Sequence, residues 1–289
     1  MPSSPVWLIT GCSSGFGAAL ALIALRSGCK VIATSRNPSK TPSLVTEVES
    51  LGGTWHKLDV CSPEPELAQA IEKATNVYRR IDVLVNCAAY ALLGAFETIS
   101  DEEARAQMET NFFGPMKLTR LVLPAMRARR SGTIVQVSST AGIEAKASRS
   151  LYCASKFALE GFSESLYNEM LPLGVRVLLV EPGAFGTNFA DSVNLPAKEL
   201  PEEYKGTITE ETMNAVVQGM KGGNMPGDVQ KACQVIFDVV MKRGQAEGME
   251  EFLRLPLGRD NAARWRVKIE GLERTLAGTE KLWSSTDKD

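Results

Sequence analysis

The amino-acid sequence predicts a single α/β domain: an open parallel sheet, doubly wound, with helices on both faces. Three observations carry that reading. Short apolar runs alternate with helical stretches from Val6 to Val180, a glycine-rich turn joins the first run to the first helix, and no linker or internal repeat divides the chain. With 289 residues, 44% of them hydrophobic and 23% charged, the chain can build one sizeable core.

Val6-Trp7-Leu8-Ile9, bounded by Pro5 and Gly11, fits a strand buried on both faces. Phe16 to Leu25 is rich in Ala and Leu, which favour helix, and Gly28 stands where that helix would end. Lys30 to Ser35 and Trp55 to Val60 read as the next strands, followed by a helix over Glu64 to Tyr78 and a strand over Ile81 to Asn86. Ser100-Asp101-Glu102-Glu103 has the form of a capping box, so a long amphipathic helix is expected from there toward Arg127. A strand over Thr133 to Ser138, a helix over Leu151 to Met170 and a strand over Val175 to Val180 complete the alternation.

Beyond Pro182-Gly183 the texture changes. Residues 188–226 mix Pro, Gly, Glu and Lys with little periodicity, and read either as a flap over a pocket or as a plain surface insertion. Asp228 to Lys242 returns to helical spacing, and Phe252 to Leu257 offers one more strand. The domain is expected over residues 1–275, with a polar, frayed tail over 276–289.

Charge and scarce residue types exclude several function classes. Lys and Arg total 32 against 34 Asp and Glu, a net charge of −2, so no nucleic-acid partner is expected. His56 is the only histidine, which excludes multi-histidine metal centres and would force any Ser-His-Asp arrangement onto that residue. No metal site is expected. Cys12, Cys29, Cys61, Cys87, Cys153 and Cys233 form no C-x-x-C pair and read as free thiols in a reducing compartment. Neither end carries an export, retention or lipidation signal, and the longest apolar run, Gly15 to Leu25, falls short of the roughly 18 residues of a membrane span. A cytoplasmic location is therefore expected.

The turn Thr10 to Gly17 lies between strand and helix, where glycines let the backbone approach a pyrophosphate and the helix dipole meets its charge. Gly11, Ser13, Ser14, Gly15, Phe16 and Gly17 are its candidate contacts. The same stretch satisfies G-x-S-x-G at Ser13, the nucleophile elbow of a serine hydrolase, although that pattern needs a histidine late in the chain and His56 is early. At the end of the second strand, where an acidic residue would bind a ribose 2′-hydroxyl, stands Arg36, which suits a 2′-phosphate and hence NADP. Tyr152 and Lys156, at i and i+4 on one helix, can meet the same ligand, and a nearby cation would lower the phenol's pKa toward neutrality. Ser138 and Ser139 follow a strand at the carboxyl edge of the sheet, where open α/β folds bind ligands.

Taken together, these residues resemble the short-chain dehydrogenase/reductase family. Thr10 to Gly17 matches its T-G-x-x-x-G-x-G turn, Asn111-Phe112-Phe113-Gly114 its N-x-x-G, Tyr152 and Lys156 its Y-x-x-x-K, and Pro182-Gly183 its P-G, in family order. The resemblance implies a Rossmann-type fold with Tyr152 as catalytic acid or base. Lys156 would tune that tyrosine and hold the nicotinamide ribose, and Asn111 would anchor a water-linked proton relay. Ser139, a better match in spacing than Ser138, would meet the substrate oxygen. Asp59 is implied at the adenine ring and Thr187 at the nicotinamide carboxamide. Val60, Asn86, Ala88, Pro182 and Gly183 complete the implied cofactor contacts. One departure is visible: the family's N-N-A-G appears as Asn86-Cys87-Ala88-Ala89, which puts a methyl group close to the adenosine.

The expected function is thus an NADP(H)-dependent oxidoreductase interconverting a carbonyl and a secondary alcohol, with reduction favoured. Tyr90, Leu92, Leu93, Ile143, Phe185 and Phe189 are expected to wall an apolar pocket suited to a bulky ketone of polyketide, terpenoid, steroid or retinoid type. General similarity runs closest to steroid- and retinol-type members, and the family implies a homodimer or homotetramer. A serine hydrolase acting through Ser13 and a non-catalytic NADP-binding sensor remain as other readings.

Overall fold

The computed structural model describes residues 4–187, 192–221 and 225–287. Its strands are β1 (Val6–Ile9), β2 (Lys30–Ser35), β3 (Thr54–Lys57), β4 (Val83–Asn86), β5 (Ala91–Leu92), β6 (Gly132–Val137), β7 (Val175–Pro182), β8 (Val193–Asn194) and β9 (Arg254–Leu257). Its helices are α1 (Gly15–Arg26), α2 (Pro42–Ser50), α3 (Glu64–Tyr78), α4 (Asp101–Met108), α5 (Gly114–Ala128), α6 (Ser150–Met170), α7 (Ile208–Lys221), α8 (Val229–Met241), α9 (Arg259–Gly278) and α10 (Glu280–Trp283).

Seven strands form one sheet in the order β3-β2-β1-β4-β6-β7-β9, every pairing parallel. β1, β4 and β7 are apolar almost throughout because helices cover both faces and leave no side for water. On one face, α1 and α8 pack around Trp7, which stacks on Phe237 with ring centroids 5.4 Å apart. On the other, Leu67 and Ile71 of α3, Leu118 and Met126 of α5 and Leu166 of α6 cover Leu8, Leu84 and Ile134. The order reverses at β1: the chain winds outward through β2 and β3, then returns to place β4 on the other side. That switch point opens a crevice above the carboxyl ends of the strands.

Three segments differ from the expected elements. The helix opened by the Ser100–Glu103 capping box, whose reciprocal bonds are both present, runs only to Met108; a π turn over Glu109–Phe113 then precedes α5. The 188–226 stretch contains a regular helix, α7, and β8 pairs in parallel with β5. The 20-residue α9 fills a stretch with no expected element, and the short α10 lies in what is expected to be a frayed tail. All six cysteines are free. Among the described residues, no helix is long and apolar enough to cross a membrane.

Candidate active site

A cleft of about 1280 Å³ lies along the carboxyl edge of the sheet, over the β1/β4 switch point. Gly11, Ser13, Ser14, Gly15 and Phe16 line one end of it. Gly11 has φ +70, and a Cβ there would fall 2.8 Å from the Cα of Ala88, so the turn needs glycine both for conformation and for space. Gly17 lies beneath the turn, where a Cβ would meet the Gly11 carbonyl oxygen at 2.5 Å. The hydroxyl of Thr10 accepts from the backbone N–H groups of Cys87 and Ala88 at 3.0 and 3.1 Å, locking this turn to the one after β4. Ser14 caps α1 without a side-chain hydrogen bond, so the first turn, whose Gly15 and Phe16 line the cleft, has N–H groups without a side-chain cap. Such a helix end, with its positive dipole, fits a pyrophosphate.

Other expected cofactor contacts divide into two groups. Arg36, Asp59, Val60, Ala88, Pro182, Gly183 and Thr187 all line the cleft, and so does Ala89, whose methyl group does not close it. Arg36 is exposed, while Asp59 accepts the Cys61 N–H at 3.0 Å in a local turn. Asn86 behaves differently. Its side chain is buried and donates to the Gln136 amide oxygen at 3.0 Å and the Thr119 hydroxyl at 3.2 Å, so it ties β4 to β6 and α5 instead of reaching the cleft wall.

Ser139, Tyr152 and Lys156 converge on the inner wall. Ser139 sits just beyond β6 and accepts the Ala141 N–H at 3.1 Å, which fixes its oxygen while leaving the hydroxyl proton to be donated. Tyr152 is buried, and burial pushes its phenol above the usual range; hydrogen bonding to Ser139 and then the charge of Arg149 pull it part of the way back. Lys156 is also buried and donates to the Val137 carbonyl at 2.8 Å. Burial brings its pKa down to about 8, against the opposing influence of Cys87 and Glu160. Arg149, which the i to i+4 spacing does not include, is thus a further cation acting on Tyr152.

Asn111 lies on the π turn, buried, with its side chain committed to structure. It accepts the Tyr90 N–H at 3.1 Å and donates to the Tyr90 carbonyl and the Ser155 hydroxyl, each at 3.0 Å. It therefore holds the loop after β4 against α6, two turns of chain that shape the cleft. Behind Lys156, Glu160 and Glu181 are buried beside Arg254, whose Nε lies 3.2 Å from one carboxylate and 3.5 Å from the other. Burial and their mutual repulsion hold Glu181 above the ordinary carboxylate range.

The opposite end of the cleft is only partly as expected. Tyr90, Leu93 and Phe185 line it; Leu92 and Ile143 do not, and Phe189 lies outside the described residues. For Leu92 the reason is strand alternation, which turns Ala91 and Leu93 inward and Leu92 away. In their place the structure brings Thr212, Ala215 and Val216 from α7, Lys146 and Arg149 from the loop before α6, and Asp260 and Arg264 from α9. Of these, only Arg149 carried a signal in the sequence: it precedes Tyr152 by three positions, the spacing of neighbours on a helix face. As for the hydrolase reading, Ser13 is exposed at the cleft mouth, whereas His56 sits on the edge strand β3 and does not line the cleft. Nothing supports that reading.

Comparison with known proteins agrees with this architecture. Residues 5–198 match a family model described as short chain dehydrogenase. Oxidoreductase claN of Passalora fulva is 46% identical over 220 residues, which cover 76% of this chain and 97% of that protein. Retinol dehydrogenase 8 of Homo sapiens is 40% identical over 209 residues, covering 70% and 65%. Among solved structures, a short-chain dehydrogenase from Streptomyces avermitilis has a TM-score of 0.87 at 35% identity, covering 99% of this chain and 100% of that one. The glycine turn, the sheet order and the serine, tyrosine and lysine on one wall thus share an origin: the chain belongs to the short-chain dehydrogenase family.

Proposed function

We propose that the protein is an NADP(H)-dependent reductase of hydrophobic carbonyl compounds, with Tyr152 as its proton donor. The observation that carries this reading is the convergence of Ser139, Tyr152 and Lys156 on one wall of a cleft whose far end is the glycine turn. The nicotinamide, when bound, supplies hydride to the carbonyl carbon. As the carbonyl π pair moves onto oxygen, Ser139 donates a hydrogen bond and Tyr152 its phenolic proton, so stabilisation grows with the developing charge. Lys156, cationic below about pH 8, favours the phenolate that remains and lies where the nicotinamide ribose would be held. Gly11, Ser13, Ser14, Gly15 and Phe16 would hold the pyrophosphate, Gly17 the packing beneath it, Asp59 and Val60 the adenine end, and Pro182, Gly183 and Thr187 the carboxamide end.

Apolar lining from Leu93, Ala91 and Val216, together with similarity to a retinol dehydrogenase, supports a bulky substrate of retinoid, steroid, terpenoid or polyketide type. Cleft-lining Thr212, Ala215 and Val216 of α7 support a role for the 188–226 segment as substrate cover. Cytoplasmic residence and assembly as a homodimer or homotetramer belong to the same proposal. A catalytically idle sensor would have no use for the converging serine, tyrosine and lysine.

Tyr152→Phe removes the proton donor and is expected to lower kcat by roughly 10²- to 10⁴-fold, the span a positioned acid contributes. Dinucleotide affinity, followed by fluorescence titration, should change little; near-native turnover in this variant would overturn the assignment. Preference for the 2′-phosphate rests on Arg36. Arg36→Ala is expected to lower the ratio of kcat/KM for NADPH over NADH by about tenfold, the loss of one charge-assisted contact at an exposed site. Equal use of the two nucleotides by the unaltered enzyme would refute the preference.

A further inference from the structure

The loop before α6 carries a cation, Arg149, that no ion pair holds among the described residues. Lys146 and Arg264 share Glu144, at 3.5 and 3.3 Å respectively. Asp260, the other carboxylate on this side, accepts the Ala184 N–H at 2.9 Å. Arg149 is left over. Among the described residues no hydrogen bond or ion pair holds its guanidinium, and its Nε is buried without an acceptor, although the side chain lines the cleft beside Tyr152. A desolvated, unpaired guanidinium N–H is costly, and such groups in native structures call for an explanation. The backbone adds a second observation. Ser148, immediately before Arg149, has φ +63, a conformation that non-glycine residues rarely adopt, and its carbonyl accepts the Gly94 N–H at 2.9 Å. That bond ties the loop to the β5 side of the cleft.

We infer that Arg149 is the substrate-recognition residue of this cleft, and that the carbonyl compound it selects carries a carboxylate near the reacting carbonyl group. The inference rests on the reductase reading above and narrows its substrate class. With Nε covered by the protein, the two terminal nitrogens of the planar guanidinium are the donor pair that a carboxylate matches bidentately. Elsewhere the cleft wall, at Ala91, Leu93, Ala141 and Val216, is apolar and would take the substrate's apolar body. A substrate with an apolar body and one acid group satisfies both surfaces.

The test compares the isomeric acetylbenzoates with their methyl esters and with acetylphenyl phosphates, using the full-length protein and NADPH. The unaltered enzyme should prefer an acid over its ester in kcat/KM. Arg149→Met should reduce that preference by about tenfold or more, and Arg149→Lys, which keeps the charge without the fork, should fall between. A ratio unchanged in Arg149→Met overturns the inference; a preference for the phosphate ester that depends on Arg149 overturns the carboxylate assignment. Calorimetric binding of the same acids to the nucleotide-loaded protein decides the matter independently of turnover. Acid binding lost in Arg149→Met supports the inference even where hydride transfer fails, and that failure would count against the reductase reading alone.

Discussion

At the dinucleotide end of the cleft the wall is backbone: Gly11 and Gly15 at positive φ, the unsatisfied first turn of α1, and a threonine hydroxyl stitching two loops together. At the substrate end the wall is side chain, drawn from β5, the loop before α6, α7 and α9. Under the proposed function the first end would meet a group common to all dinucleotides at close approach, so the glycine turn there is fixed by sterics. The second reads one particular molecule and needs only the right surface, so its residues come from wherever the chain passes. The difference makes a sharp expectation about which substitutions each end tolerates.

Two glycines with the same backbone requirement test it. Gly11 and Gly206 have φ of +70 and +69, but a Cβ at Gly11 strikes the Ala88 backbone, whereas Gly206 has nothing within 4 Å. Left-handed backbone costs a non-glycine residue roughly 1–2 kcal/mol, and a forced overlap adds about 1–3 more. Gly11→Ala should therefore lose about 3 kcal/mol in urea unfolding and most of its nucleotide affinity; Gly206→Ala should lose about 1 kcal/mol. Equal losses would mean that close packing at the glycine turn adds nothing to its need for glycine.

The catalytic wall between them gives the next largest effect. Lys156 is cationic below its pKa of about 8 and neutral above it, while Tyr152, raised by burial, keeps its proton through that range. For reduction, kcat/KM should accordingly fall as pH rises through about 8, the profile reporting groups of the free enzyme. Lys156→Arg places a cation there that does not titrate, so its alkaline limb should move upward even though overall activity is lower. The same limb in both proteins would assign the titration elsewhere.

Much of this architecture is legible in the sequence, and unevenly so. The sheet, the glycine turn and the Tyr152–Lys156 pair follow from local patterns: apolar runs, glycines at fixed offsets, an i to i+4 spacing. The π turn at Asn111 left no mark, because inserting one residue into a helix changes neither composition nor amphipathic character. α7 was hidden by its Pro- and Gly-bearing flanks, although Met213, Val216 and Val217 have helical spacing. α9 does carry an apolar stripe, Trp265, Ile269, Leu272 and Leu276 at helical spacing, so that helix was legible in the sequence although Ile269, Leu272 and Leu276 stay exposed in the fold. Arg264 reaches Glu144 in the loop before α6 only because α9 returns across the sheet edge, and no local pattern reports a return of that kind.

The smallest effect falls at the substrate end. Val216 of α7 packs with Ala91, Leu93, Ala141, Tyr152 and Cys153, and also lines the cleft. If α7 covers the bound substrate, Val216→Ala removes apolar contact that the ground state and the transition state share. Losing part of that surface is worth about 1 kcal/mol, a roughly fivefold rise in KM with kcat nearly constant. The rise should be largest for bulky ketones and slight for small ones, since only a large substrate reaches the helix. A fall in kcat with KM unmoved would instead mean that Val216 serves to position Tyr152, which would make α7 part of the catalytic wall and not of the cover.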